Sequence, residues 1–490
     1  MPVSEPATDK PSGQDEMRGA HITAYCHTLV KDLLSRPDLL FQMAGLHYGP
    51  VHLLIPQIMD ENIARMQEFF AAYDFDSRIH YTMKPNKSDV FARQAWHNGI
   101  NIDVSSLEEL KAALAAGFRG PDIGCTNTKN RHYLWLAMQH GCIISVDNRL
   151  ELDWLCEMAP QRRYRQEPVR ILLRIGDLQP LDRQFQGKPS KFGLSVHELD
   201  AIYHIITSRS DIQLEGYHFH NDNRLGDLQA GYIEHVLRLI EDAASYGLEP
   251  EIINIGGGMR DRQLADANEW SAFLERLEKA LVMKGDTGTW HGYAYGMYVN
   301  DKGRVSGREK IQGALSPPHY TDFLDEALND DRIRERPLAD IIAETLLTVM
   351  VEPGNALLQQ SGVTLLPVKG VKYDGHGQAL VMVDANVYNI SAGTIEPLAD
   401  PILISRSGNT TPCEAYLADN VCNERGLLGR RKIAFEGTPQ EGDLLFYPNT
   451  AAYISDFEDA APHKQPQGRK FVMQHNAGTW SFMSEDQYWP

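Results

Sequence analysis

Residues 51–84 read VHLLIPQIMDENIARMQEFFAAYDFDSRIHYTMK, and this stretch decides the fold. "VHLLIP" is an apolar run of strand length, "MDENIARMQEFFAAY" spaces its apolar residues as one helical face, and "SRIHYTMK" alternates with the period of a strand. Strand, helix and strand in so short a span predict parallel pairing, because two parallel strands need a crossover between them. The rhythm continues downstream. "SSLEELKAALAAG" (105–117) reads as a helix with a Ser cap and a Gly stop, and "DIGC", "CIISVD", "VRILLRIG", "LEGYHFH", "EIINIGGG" and "LLTVMVEPG" read as strands among helical text such as "GYIEHVLRLIEDAASYG". So many units predict an α/β fold: a closed (β/α)8 barrel of the TIM type over 51–361.

Two regions break the rhythm. "WHGYAYGMYVNDKGRVSGREK" is aromatic and Gly-rich, so about 260–337 is expected to be an insertion whose aromatics pack rather than line a pocket. After Gly362 the text becomes β-rich with Gly, Pro and Asn turns, as in "VTLLPVKGVKYDGHGQALVMVD" and "GDLLFYPNTAAYISDF", which predicts a C-terminal all-β domain over 362–490. Residues 21–50 are expected to join that domain. The polar start, 1–20, reads as a disordered tail without the basic-then-apolar pattern of a secretory signal, which points to a cytoplasmic protein.

Composition narrows the function classes. The 490 residues are 42% apolar and 23% charged, and no apolar run approaches the roughly 18 residues that a membrane span needs. Lys plus Arg number 47 against 66 Asp plus Glu, a net charge of −19 that would repel a nucleic-acid backbone. Six scattered cysteines without a Cys-x-x-Cys pair fit neither a disulfide framework nor a structural zinc site. Membrane and nucleic acid are therefore poor partners, and the thiols are expected to be reduced.

Several residues at predicted strand ends carry chemistry. In "RIHYTMKPN", His80, Thr82 and Lys84 share one strand face, and Pro85 ends the strand just after the lysine. The carboxyl ends of barrel strands are where such folds place active sites. His218 and His220 in "GYHFH" also share a face, a spacing that suits a metal, or a ring stacked on a flat cofactor beside a hydrogen-bonded neighbour, or two satisfied core histidines. Gly256, Gly257 and Gly258 end an apolar strand and allow consecutive N–H groups to converge on an anion, as a merely flexible turn also would. Glu352 arrives at the same rim in "VMVEPGN", either to hydrogen-bond a protonated ring nitrogen or as a solvated strand-end charge.

Taken in order, "YTMKPN", "NIDVSSLEEL", "SKFGLS", "HFH", "IGGGM", "EPGN" and "GDLLFYPNTAAY" resemble the fold type III pyridoxal-phosphate decarboxylases, the family of ornithine, diaminopimelate and arginine decarboxylases. Within it, "HYGPVHLLIP" and "GRRKI" resemble the branch acting in siderophore and natural-product pathways. The resemblance implies pyridoxal 5′-phosphate as cofactor, held on Lys84 as an internal aldimine, and a homodimer with its sites at the interface. His220 would stack on the pyridine ring, Glu352 would keep the ring nitrogen protonated, and Asp103 would support Lys84. Gly256, Gly257 and Gly258 would hold the phosphate, with a hydroxyl from Tyr453. Cys422, in "DNVCNERGLLGRRKI", aligns with the catalytic cysteine that acts across the dimer, where racemases place a tyrosine, and a thiol there can return a proton to Cα after CO2 leaves.

The chain departs from the family at three points. Asn355 replaces an arginine phosphate ligand, Asn223 or its neighbours replace a small serine-type ligand, and Gly426 replaces an aspartate four residues after the cysteine, for which Glu424 is the candidate substitute toward the substrate. The resulting expectation is an amino-acid decarboxylase. A racemase on the same cofactor, a metal-dependent barrel hydrolase and a catalytically decayed partner-binding homologue are the competing readings.

Overall fold

The computed structural model describes residues 21–162, 167–178, 190–221, 226–259, 262–308, 320–391, 397–424 and 426–490. Its first strand, β1 (Val51–Leu54), corrects the expected start of the barrel: β1 lies in the sheet of the C-terminal domain, antiparallel to residues 362–365 and parallel to residues 469–472. All four of its residues are buried. An apolar run buried on both faces does not reveal which sheet receives it, and that is why the sequence pattern misplaced it. Val51 and Leu53 pack with Val30 and Leu33 of the helix Thr28–Leu34, and with Leu40 and Met43 of Pro37–Ala44, on one side of this sheet.

The barrel itself consists of β2 (Ser77–Thr82), β3 (Asn101–Val104), β4 (Ile123–Cys125), β5 (Ile143–Val146), β6 (Val169–Arg174), β7 (Ile212–His218) and β8 (Ile252–Asn254), followed after an excursion by β11 (Thr348–Val351). β11 pairs in parallel with both β8 and β2 and closes the ring of eight. Local chemistry sets the surrounding helices. In Leu107–Ala116 the Ser106 hydroxyl accepts the Glu109 N–H at 3.1 Å, and Gly117, at φ 109°, ends the helix in the left-handed conformation that glycine tolerates best. Ile79, Tyr81 and Met83 enter the main apolar core, while His80 and Thr82 point the other way and are also buried. Burial depresses the His80 imidazole to about 3.

The excursion between β8 and β11 contains two different parts. The helix Ala267–Met283 and the hairpin of β9 (Tyr298–Val299) and β10 (Val305–Ser306) build a separate cluster with Trp270, Phe273, Leu277, Met297 and Ile22. The helix Tyr320–Leu328 instead packs Phe323, Leu324, Ala327 and Leu328 into the barrel core, so the expected insertion ends before it, not at residue 337. In "WHGYAYG", Tyr295 meets Trp270 and Phe273, and Trp290 meets Tyr416 edge-on at 5.0 Å. These aromatics pack on the excursion's own helix and on the β domain.

The C-terminal domain adds β12 (Gly362–Tyr373), β13 (Ala379–Val383), β14 (Ile402–Ile404), β15 (Cys413–Ala418), β16 (Ile433–Phe435), β17 (Leu444–Tyr447), β18 (Arg469–Asn476) and β19 (Thr479–Ser484). With β1 they form one sheet, in the order β16-β15-β13-β12-β1-β18-β19, with β17 on β12 and β14 on β17. Among the described residues no helix is long and apolar enough to cross a membrane.

Candidate active site

Lys84 stands in the turn that follows β2, exposed at the carboxyl end of the barrel. Met83 donates its N–H to the Asp103 carbonyl at 3.1 Å, and the Asn86 N–H closes the turn on the Met83 carbonyl at 3.0 Å. The β domain grips this turn. Asn86 Nδ2 donates to the Ala451 carbonyl at 2.7 Å, the Tyr453 N–H donates to the Pro85 carbonyl at 2.8 Å, and the Lys87 N–H donates to the Asp456 carboxylate. Asp456 is buried and paired with Lys470 at 2.6 Å, so the grip has a fixed base. Tyr453, half-buried and at φ 63°, is carried to the turn by this same loop.

Two buried carboxylates flank the lysine turn. Asp103 is 2% exposed on β3, and its Oδ1 has no hydrogen-bond partner among the described residues. Burial, reinforced by the Glu352 charge, pushes Asp103 well above the usual carboxylate range, against the opposing pull of Thr126 and Lys84. Glu352, just past β11, accepts from Asn254 Nδ2 at 2.6 Å through Oε1, while its backbone carbonyl accepts from Thr82 Oγ1 at 2.9 Å. Burial raises its pKa as well, opposed by the Asn254 hydrogen bond and by Arg174 and Lys84.

The glycine segment crosses the same mouth. A Cβ on Gly256 (φ 68°) would lie 2.7 Å from the Phe219 carbonyl, and one on Gly257 would lie 2.6 Å from the Glu352 carbonyl, so only glycines allow the strand ends to approach this closely. The Gly256 N–H donates to Asn254 Oδ1 at 2.9 Å and the Gly257 N–H to His220 Nδ1 at 3.2 Å. His218 is spanned by other partners, with Nδ1 2.7 Å from Ser145 Oγ and Nε2 3.5 Å from Glu352 Oε2. The two histidines therefore do not converge as a chelating pair.

The sequence reading thus identified Lys84, Asp103, His220, Gly256, Gly257, Gly258, Glu352 and Tyr453, and these lie on the strand ends and loops around one barrel mouth. Cys422 and Glu424 are elsewhere. Both are exposed on the loop after β15, and no hydrogen bond or ion pair among the described residues joins either to the mouth. Gly426 in that loop has a structural reason for its missing side chain: a Cβ would sit 2.0 Å from Asp419 Oδ1. Asn355 begins a four-residue helix beside Glu352, and Asn223 lies outside the described residues. Sequence reasoning missed Asn86, Ser145, Arg174, Asn254 and Asp456; only "HFH" and "GDLLFYPNTAAY" hinted that neighbours of this kind were needed.

A closed parallel barrel with a lysine turn, two buried carboxylates and a glycine turn at its carboxyl end, clamped by a β domain, places these groups where barrel proteins carry their active sites. Residues 59–287 match the family model "Pyridoxal-dependent decarboxylase, pyridoxal binding domain". An uncharacterized protein of Sinorhizobium fredii is 28% identical over 456 residues, covering 91% of this chain and 92% of that one. The diaminopimelate decarboxylase of Bacillus subtilis is 26% identical over 260 residues, which span 50% of this chain and 58% of the enzyme. The crystal structure of diaminopimelate decarboxylase from Helicobacter pylori complexed with L-lysine superposes with a TM-score of 0.65 at 16% identity, over 91% of this chain and 95% of that one. Residues 59–287 thus match the pyridoxal-binding domain of the pyridoxal-dependent decarboxylases, whose cofactor is pyridoxal phosphate, and the chain as a whole shares the fold of such enzymes.

The residues present fit that cofactor. The mouth offers an amine on Lys84, an unpartnered buried oxygen on Asp103, a braced carboxylate on Glu352 and a glycine turn whose backbone lies too close to Phe219 and Glu352 for a Cβ at Gly256 or Gly257.

Proposed function

We propose that this protein removes CO2 from a small amino acid or amino-acid-like substrate, with pyridoxal phosphate held covalently by Lys84. The observation that carries the reading is the convergence of Lys84, Asp103, Glu352 and the glycine turn on one barrel mouth, each on a different strand end. Bound there, the cofactor's protonated ring supplies an electron sink for a carbanion at the substrate Cα.

The chain's own residues do the rest. Glu352, oriented by Asn254, would keep a proton on the ring nitrogen, and His220 would stack on the ring. Asp103 directs the Lys84 amine. The turn of Gly256, Gly257 and Gly258 would receive the phosphate, with the Gly258 N–H and the Tyr453 hydroxyl as donors beside the Gly256 and Gly257 N–H groups held by Asn254 and His220, and Asn355 would give that end a neutral neighbour. Cys422 from a second copy delivers the proton to Cα, and Glu424 meets a polar group of the substrate. Exposure of Cys422 and Glu424 on one loop supports their action toward a partner subunit.

The test is to add pyridoxal phosphate to the purified protein and screen amino acids and amino-acid conjugates for CO2 release. Wild type should show the absorbance band of the bound cofactor, and Lys84→Ala should lose the band and about a thousandfold or more of the activity. A wild type that stays colourless contradicts the proposal, and chiral inversion without CO2 release replaces it with a racemase.

A further inference from the structure

His218 has no part in the chemistry above, yet it is 1% exposed and set between two polar partners. Its Nδ1 lies 2.7 Å from Ser145 Oγ on β5. Its Nε2 lies 3.5 Å from Glu352 Oε2 and has no hydrogen-bond partner of good geometry among the described residues. A buried donor left idle costs about 1–3 kcal/mol, so an imidazole in this position calls for a reason. Glu352 supplies one: Oε1 already takes the Asn254 amide at 2.6 Å, and Oε2 is the oxygen that faces His218.

We propose that His218 is a positioning residue for Glu352, with the Ser145 hydroxyl donating to Nδ1 so that the ring proton sits on Nε2 and points at Glu352 Oε2. This deepens the proposed function and rests on it, because it needs Glu352 to be the carboxylate that meets the ring nitrogen. The opposite tautomer would set the Nε2 lone pair against a carboxylate oxygen. A cationic ring is disfavoured as well: burial first, then Arg174, His220 and Lys129, hold the His218 pKa well below its ordinary value.

A neutral donor suits the task. It fixes the carboxylate without placing a second positive charge beside a ring nitrogen that must itself stay protonated. The charged groups facing this pair are Lys84 after β2, Asp103 on β3, Lys129 beyond β4, Arg174 on β6 and His220 after β7. Lys84 and Arg174 favour the Glu352 carboxylate, and the Asp103 charge opposes it. Lys129 is locked at 2.9 Å to Glu151 and donates to the Ser145 carbonyl at 2.6 Å, which steadies the serine that sets the tautomer.

The test uses the full chain with histidine labelled with nitrogen-15, with His218 assigned by its loss in His218→Gln. Wild type should show a neutral ring protonated on Nε2 with or without added pyridoxal phosphate, and Ser145→Ala should mix the tautomers. In cofactor-loaded His218→Phe the acid limb of CO2 release should move up by about one pH unit or more, since a lost donor raises the carboxylate pKa. His218→Gln, which again presents an N–H, should recover most of that shift. A merely structural role would lower thermal stability in both variants and leave the limb in place. If His218→Phe does not fold, Ser145→Ala carries the same measurement. An Nδ1-protonated ring in wild type, or an unmoved acid limb, overturns the positioning role; failure of wild type to take up pyridoxal phosphate overturns the functional reading instead.

Discussion

At the barrel mouth Asp103 and Glu352 are buried and the segments that carry the candidate groups are cross-braced: Glu352 is tied to Asn254 and to Thr82, the glycine turn to Asn254 and His220, and the lysine turn to three β-domain residues. On the β-domain side, Cys422 and Glu424 stand exposed on a loop fastened mainly by its own Asp419, whose carboxylate accepts the Val421 N–H at 3.0 Å. The first region has its geometry set within the chain. The second has no hydrogen bond or ion pair, among the described residues, that joins Cys422 or Glu424 to the mouth, and under the proposed function a second copy would complete it. Under the proposed function the rigid region would hold the cofactor, while the loop would bring the proton donor and a contact to the substrate.

The comparison can be broken at several points, beginning with the largest effect. Glu352→Gln should bind cofactor yet release CO2 about a thousandfold more slowly, as expected when a preorganised charge is removed. If turnover is unchanged, the rigid mouth does not set the chemistry. Cys422→Ala should cost about a hundredfold, the typical contribution of one positioned acid. Mixing Cys422→Ala with inactive Lys84→Ala chains should restore part of the activity, because mixed dimers then contain one complete site. Failure to complement would place the cysteine within its own subunit.

Restoring the family's aspartate at 426 should harm the loop rather than improve it. With Asp419 Oδ1 2.0 Å from the new Cβ, Gly426→Asp should destabilise by about 1–3 kcal/mol, read as a lower Tm, and an unchanged Tm would contradict the clash. The smallest effect concerns pH. Because the folded pKa of Asp103 is raised, its contribution to stability is complete below the ordinary carboxylate pKa of about 4 and is lost as pH rises through the folded value. Asp103→Asn should therefore gain Tm relative to wild type as pH rises above about 4, with a gap that widens with pH. A constant gap would mean that Asp103 does not hold its proton.

What the sequence revealed follows from the range of the forces involved. Lys84, Glu352 and the glycine triplet sit at strand ends that the alternation of apolar and polar residues marks locally, and their order along the chain supplied the rest. The braces are invisible at that level. Asn254 meets Glu352 across 98 positions, Ser145 meets His218 across 73, and Ser88 Oγ meets Glu485 across 397. β1 was placed in the wrong sheet for a related reason: a short run of buried residues, three of them apolar, satisfies either sheet equally, and only pairing with β12 and β18 decides. The excursion's far boundary was blurred because the helix Tyr320–Leu328 follows residues without strand or helix periodicity, yet packs as an ordinary barrel helix.

The central claim is that Lys84 is the residue that carries the cofactor. Borohydride reduction of protein loaded with pyridoxal phosphate, followed by proteolysis and mass mapping, tests it most directly. The account predicts one pyridoxyl group per chain, on the peptide that contains Lys84 and absent from Lys84→Ala; a label on any other lysine, or no stable label at all, would contradict it.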